Sequence, residues 1–242
     1  MSSEYSTRFE RIESLTDNEV KTMTDLYLSY YDGADASLVI SDLKRKTEVL
    51  LLYYRKALVG FTTFEIYQRA WNRQTIRVIY SGDTIVAHGH WGQQAMAFAW
   101  IRYIGRLKKK EPNIPIYWFL IVKGHRTFKY LPAFTKSFYP HWAIDRSDLK
   151  ALLDQLATEK FGEHYDPASG IISFETSRGH LKESFVYPRE QEVSKPAVQF
   201  FLERNPGYYK GDELACICEF DEMNLRPFTK RVLDDCDMEK TG

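Results

Sequence analysis

Between Glu48 and Ala87 the chain runs through three stretches rich in aliphatic, β-branched and aromatic residues, and these most restrict how it can fold. Glu48 to Tyr54 is a dense apolar run, Arg55-Lys56 has the length of a tight turn, and Leu58 to Tyr67 continues the pattern, which reads as a β-hairpin. A third run, Thr75 to Ala87, is interrupted at Ser81-Gly82-Asp83, where glycine within a strand signals a bulge or a close backbone approach. Helical patterns surround these strands. Thr16-Asp-Asn-Glu19 is a capping-box pattern ahead of Val20, Met23, Tyr27, Tyr30 and Tyr31 at helical spacing, and a second short helix is predicted over Ser37 to Lys46. After the strands, Gln93 to Lys110 carries Met96, Ala99, Trp100, Tyr103 and Leu107 on one helical face.

Downstream, Ile116 to Val122 is a continuous apolar strand, the pattern of a strand covered on both faces. A helix follows over Arg126 to Phe138, with Pro132 in its first turns or kinking it. A helix from Asp145 to Phe161, a strand over Gly170 to Glu175, a helix opened by Pro196 and running to Arg204, and a strand over Glu213 to Phe220 complete the reading. One mixed α/β domain over residues 1–242 is expected, with a helical insertion at about 143–170.

Composition narrows the function classes. At 242 residues, with 44% hydrophobic and 27% charged residues, the chain has the make-up of one globular domain. Lys+Arg and Asp+Glu are equal at 33 each, so there is no bulk basic field to favour nucleic acid or an anionic membrane. Met1 to Glu13 lacks the apolar core of a signal peptide, and no apolar run reaches the roughly 18 residues of a spanning helix. Cys216, Cys218 and Cys236 are too few, and odd in number, for a disulfide framework; Cys216 and Cys218 share a strand face but no second ligand pair has metal spacing, so no metal is expected and a cytoplasmic location fits best.

The segment richest in chemical implication is Thr84 to Met96, in which a strand passes through His88-Gly-His-Trp-Gly92 into the long helix. A glycine-bearing loop opening a helix presents backbone N–H groups where a phosphate is favoured. Neither the dinucleotide-binding nor the Walker A glycine spacing is present. The hairpin, the bulged strand and Val86 to Met96 resemble the central motif of the GNAT superfamily, the GCN5-related acyltransferases, whose loop reads approximately Arg-Gly-x-Gly-x-Gly/Ala. Aligned on Gly92, the family's arginine falls on Trp91, its second glycine on Gln94 and its third small residue on Met96, with Gln93 where glutamine is common. The similarity covers roughly Glu13 to Pro140.

The resemblance implies a mostly antiparallel central sheet, flanked by helices and splayed between strands four and five. It also implies acyl transfer from coenzyme A or carrier-protein pantetheine to an amine on a small molecule or peptide. Pantetheine would lie along Ile85, Val86 and Ala87, and the pyrophosphate on the loop of Trp91, Gly92, Gln93, Gln94 and Ala95. A cleft is therefore expected between the strand ending at Ala87 and Ile116 to Val122. Glu65, Asp83, His88 and His90 are candidates to accept the amine's proton, and Tyr130 stands where the family's proton donor to the thiolate would fall. A large aromatic content leaves room for an acyl group longer than acetyl, lined by Phe61, Phe64, Tyr117, Phe119 and Phe134. The loop's departure from the motif also supports a different reading, a catalytically silent binding or assembly protein.

Overall fold

The computed structural model describes residues 4–236. It begins with strand β1 (Tyr5–Arg11), helix α1 (Asp17–Tyr30), a two-residue strand β2 (Tyr31–Asp32) and α2 (Ala36–Leu43), followed by β3 (Glu48–Tyr54), β4 (Ala57–Trp71) and β5 (Gln74–Val86). The middle of the chain forms α3 (Ala95–Lys110), β6 (Ile116–Val122), α4 (His125–Phe128), α5 (Tyr130–Phe134) and α6 (Ser147–Phe161). Short elements come next: β7 (Tyr165–Asp166), β8 (Ile171–Ile172), β9 (His180–Leu181), α7 (Glu183–Val186) and α8 (Glu190–Val193). The last three are α9 (Pro196–Arg204), β10 (Glu213–Glu219) and α10 (Pro227–Asp234).

Eight strands form one sheet in the order β1-β3-β4-β5-β6-β10-β8-β7. Every pairing in it is antiparallel except β5 with β6, which is parallel and joined across α3. The long hairpins turn on Arg55-Lys56 and Asn72-Arg73, all four residues at positive φ. Paired left-handed residues make the turn whose twist matches that of the flanking strands. Apart from the two-residue β2, β5 and β6 are the fourth and fifth strands in sequence, and they separate at one end. The chain therefore has a GNAT-like fold, mixed α/β with a mostly antiparallel sheet between helices.

Several elements differ from the sequence reading. The polar N-terminal segment contains β1, whose Phe9 stacks on Tyr103 of α3 while its charged residues alternate outward, as an edge strand requires. The helix expected over Arg126 to Phe138 is two short ones, α4 and α5, and the strand expected over Gly170 to Glu175 shrinks to β8. Stretch 143–170 supplies α6, whose Leu149, Leu152, Leu153 and Leu156 cover Ile76, Val78, Phe119 and Ile217 on one sheet face. On the same face, α1 and α2 cover Val49, Leu51, Phe61 and Ile85. The opposite face packs Leu50, Leu52, Ile79, Trp118 and Leu120 against α3, α5, α9 and α10. Gly105 lets α10 approach α3, since a Cβ there would lie 2.4 Å from the Leu233 carbonyl oxygen.

The capping box at the start of α1 is complete. Thr16 Oγ1 accepts from the Glu19 amide while Glu19 accepts from the Thr16 amide and from Tyr53, and pairs with Arg8. Burial alone would raise the Glu19 pKa, but these donors hold it at about 2. Its contribution is therefore present above the unfolded value near 4.3 and is lost as pH falls toward 2. Glu19→Ala is expected to cost about 1–2 kcal/mol at pH 7, with the deficit shrinking between pH 4 and 2 in denaturant unfolding.

Candidate functional site

The register of β5 determines the site. Thr62 pairs with Thr84 and Phe64 with Ser81, so Gly82 and Asp83 together oppose Thr63 in a β-bulge. On its other side β5 pairs with β6 from Arg77–Ile116 as far as Ser81–Leu120 and no further. Trp118 of β6 donates to Ser81 Oγ at 2.8 Å, closing the last paired rung. From Gly82 onward that edge of β5 faces a gap, and its backbone polar groups have no ladder partner there. This is the expected cleft, and it opens at the bulge.

Three cavities meet at the gap, and Thr84 and Thr127 border all of them. The first is a groove of about 620 Å³ at the sheet's end, between the loop after β5 and α4–α5. Ile85, Val86, Trp91, Gly92 and Gln93 line it, whereas Ala87, Gln94 and Ala95 do not. The Ala87 amide is spent on the Val59 carbonyl. Gly92, at φ +87, turns the chain toward α3, and Gln93 Oε1 accepts from the Met96 amide. The remaining amides of the first turn have no acceptor within the helix. Trp91 donates its indole N–H to the Val86 carbonyl at 2.7 Å, and Arg126 stacks over its ring at 4.6 Å. Segment 180–193 walls the groove: β9 pairs with β2, and Phe185 packs on Tyr30, His88 and Trp91.

The second cavity is apolar and small, about 40 Å³, and is lined by Met96, Trp100, Trp118, Leu120, Tyr130 and Phe134 among others. Of the aromatic residues expected to surround an acyl chain, Phe134 alone borders it; Phe61, Phe64, Tyr117 and Phe119 are packed into the cores. Tyr130 borders both this cavity and the groove. Its hydroxyl makes no hydrogen bond among the described residues, and burial raises its pKa, so it is protonated at neutral pH.

The third cavity, about 100 Å³, opens on the opposite sheet face in the space between α1–α2 and α6. Tyr27, Tyr31, Tyr80, Phe161 and Phe174 form much of its wall, and six charged side chains enter it. Lys46 pairs with Asp42 at 2.7 Å, and Lys123 with Glu213 at 3.4 Å. Gly82 makes room for Lys46, whose Cε would lie 2.5 Å from an added Cβ. Asp83 forms no hydrogen bond or ion pair with another side chain among the described residues. Burial raises its pKa, against the opposing influence of Lys46 and Lys123, and burial likewise raises that of Glu213.

The other proposed bases lie apart from this cavity. Glu65 is ion-paired with Lys160. His88 is exposed at the groove rim, its amide donating to the Tyr30 hydroxyl. His90 shares a hydrogen bond between its Nδ1 and the Tyr5 hydroxyl, 2.9 Å, and leans on Tyr54. Five charged residues of the third cavity, Asp42, Lys46, Lys123, Arg178 and Glu213, were missed in the sequence reading. A lone charge at the end of an apolar strand is the signal that marks two of them, Lys123 after Ile116 to Val122 and Glu213 before Leu214. Cys216 and Cys218 are buried within β10, and among the described residues no group of His, Cys, Asp or Glu is arranged to hold a metal ion. Nor is any helix among them long and apolar enough to cross a membrane.

No model of a known protein family matches the sequence, and no curated protein matches it. Among solved structures the chain is similar to a protein of unknown function from Enterococcus faecalis described as a probable N-acyltransferase, at 10% identity over 52% of this chain and 32% of that one, with a TM-score of 0.37. It is similar to a GCN5-related N-acetyltransferase from Kribbella flavida at 10% identity, covering 55% and 34% of the two chains, TM-score 0.39. It is also similar to a GNAT family N-acetyltransferase from Escherichia coli in complex with CoA, at 15% identity over 54% and 68%, TM-score 0.37. The chain spans about a third of the length of the first two. Likeness at this level carries nothing about activity, and the fold assignment stands on the strand order and the parallel β5–β6 pair described above.

Proposed function

We propose that the chain is a divergent GNAT-type N-acyltransferase, moving a short acyl group from a pantetheine thioester, on coenzyme A or an acyl carrier protein, to an amine. One observation carries this reading. The gap between β5 and β6 joins a long groove beside a helix N-terminus to a charged pocket on the other sheet face. A linear thioester and an amine entering from opposite faces would meet there, and holding two reactants in line removes much of the entropic barrier to their reaction.

In this reading the pantetheine arm lies along Ile85 and Val86, the phosphates lie near Gly92, Gln93 and Arg126, and the acyl group enters the apolar cavity. That cavity holds only a few times the roughly 10–15 Å³ one water requires, which suits acetyl better than a long chain. The amine nitrogen attacks the thioester carbonyl carbon, and a backbone N–H freed at the bulge holds the oxyanion. The new C–N bond forms as the C–S bond breaks; the amine's proton passes to Asp83, and the thiolate takes one from Tyr130.

Calorimetry with acetyl-CoA and with acetyl-loaded carrier protein tests donor binding, and thiol release on adding amines tests transfer. Absence of binding to either donor would favour the silent scaffold. Gly92→Val should weaken donor affinity about tenfold or more, because a β-branched residue cannot hold φ +87 without strain and the loop amides would turn away. Its far-ultraviolet circular dichroism should match that of the unmodified chain.

A further inference from the structure

The charges of the third cavity do not cancel pairwise, and what remains over describes the acceptor. Asp42 has Lys46 and Glu213 has Lys123, which leaves one anion, Asp83, and one cation, Arg178. Arg178 rests on the Phe174 ring at 5.0 Å and makes no hydrogen bond or ion pair among the described residues. A simple amine would satisfy Asp83 and leave the guanidinium unpaired in the wall. A simple anion would do the reverse.

We propose, resting on the acyl-transfer reading, that the acceptor is a small free amino acid, its amine set against Asp83 and its carboxylate against Arg178. Such a zwitterion adds no net charge to a pocket whose charges are balanced, and a planar guanidinium matches a carboxylate with two parallel hydrogen bonds. The size agrees: about 100 Å³ admits several heavy atoms on a scale where one water takes roughly 10–15 Å³. The ring walls of Phe161 and Phe174 offer apolar contact to a side chain. Glu213 and Lys123, paired across the neighbouring ends of β10 and β6, hold the floor in place without offering a free charge.

The test measures thiol release from acetyl-CoA, and from acetyl-loaded carrier protein, with each proteinogenic amino acid and with its carboxamide. At least one amino acid is expected to support release, with kcat/KM about 10- to 100-fold above that of its carboxamide, the effect of one charge-assisted contact. Arg178→Gln should bring the acid down to the carboxamide's level while calorimetry shows unchanged donor affinity. Carboxamides or plain amines that match the acids would overturn the proposal and keep the transferase, as would an Arg178→Gln variant that lowers acid and amide alike. Failure of both donors to bind would overturn both the proposal and the acyl-transfer reading beneath it.

Discussion

Asp83→Asn should lower kcat for acyl transfer by about 10²- to 10⁴-fold, the range typical of a lost general base, with donor affinity unchanged in calorimetry. The size of the effect follows from the position of the carboxylate, on the bulge that ends the β5–β6 pairing and inside the charged pocket, with no side-chain partner among the described residues. The sign of the pH dependence is also determined. Burial raises the Asp83 pKa; Lys46 and Lys123 oppose that shift and Asp42 adds to it. Glu213 is the other carboxylate of the pocket. The base is ionised only above its raised pKa, so kcat/KM in the unmodified chain should fall as pH drops through a value higher than an ordinary carboxylate's. That limb should vanish in Asp83→Asn. If the variant keeps a rate within a few-fold of the unmodified chain, water carries the proton instead.

Tyr130→Phe should lower kcat by about 10²-fold or more and leave KM for the donor nearly unchanged. Tyr130 borders both the groove and the apolar cavity, where the sulfur of a thioester would lie, and its hydroxyl is held in its protonated form by burial. Removing only an oxygen leaves the ring's packing on Phe134 intact, so the loss would report proton delivery and not collapse of α5. A thioester with a more acidic thiol needs less protonation on leaving, and should recover part of the lost rate in the variant. Equal losses for both thioesters would place the role of Tyr130 elsewhere.

Much of the scaffold was legible because its signals are local. The boundaries of β3 and β6 follow directly from apolar runs, and a glycine inside a strand marked the bulge at Gly82. The Arg55-Lys56 turn needed no glycine, since the hairpin imposes the left-handed pair. The edge strand β1 was hidden because half of each edge residue's environment is solvent, and Arg8 and Glu10 made the segment look like a tail. The pieces β9, α7 and α8 were unreadable for another reason. They are only two to four residues long and are held by distant partners, β9 by β2, Phe185 of α7 by Tyr30 and Trp91, and Glu192 of α8 by Lys129, contacts that no periodicity reports. In the site, Asp83 was visible as the polar residue of the bulge. The charges around it come from Asp42, Lys46, Lys123, Arg178 and Glu213, a set spread over 172 positions of sequence, and no spacing rule joins such residues. Lys46 in particular read as the cationic end of a helix, while in the fold it rests beside Gly82 at the mouth of the pocket.

Because the gap crosses the sheet, what recognises one reactant is built from largely different residues than what recognises the other. Loop 88–93 and α4–α5 border the groove; Phe161, Phe174 and Arg178 border the charged pocket. Substitutions on the two sides share few partners, so their free-energy effects should add, and the preference for one reactant can drift while affinity for the other is kept. Thr84 and Thr127 border all three cavities, and there that independence ends. Tyr31 borders the groove and the charged pocket as well, so a change at any of these three positions moves both walls at once, and they form the narrow place where the two faces are coupled.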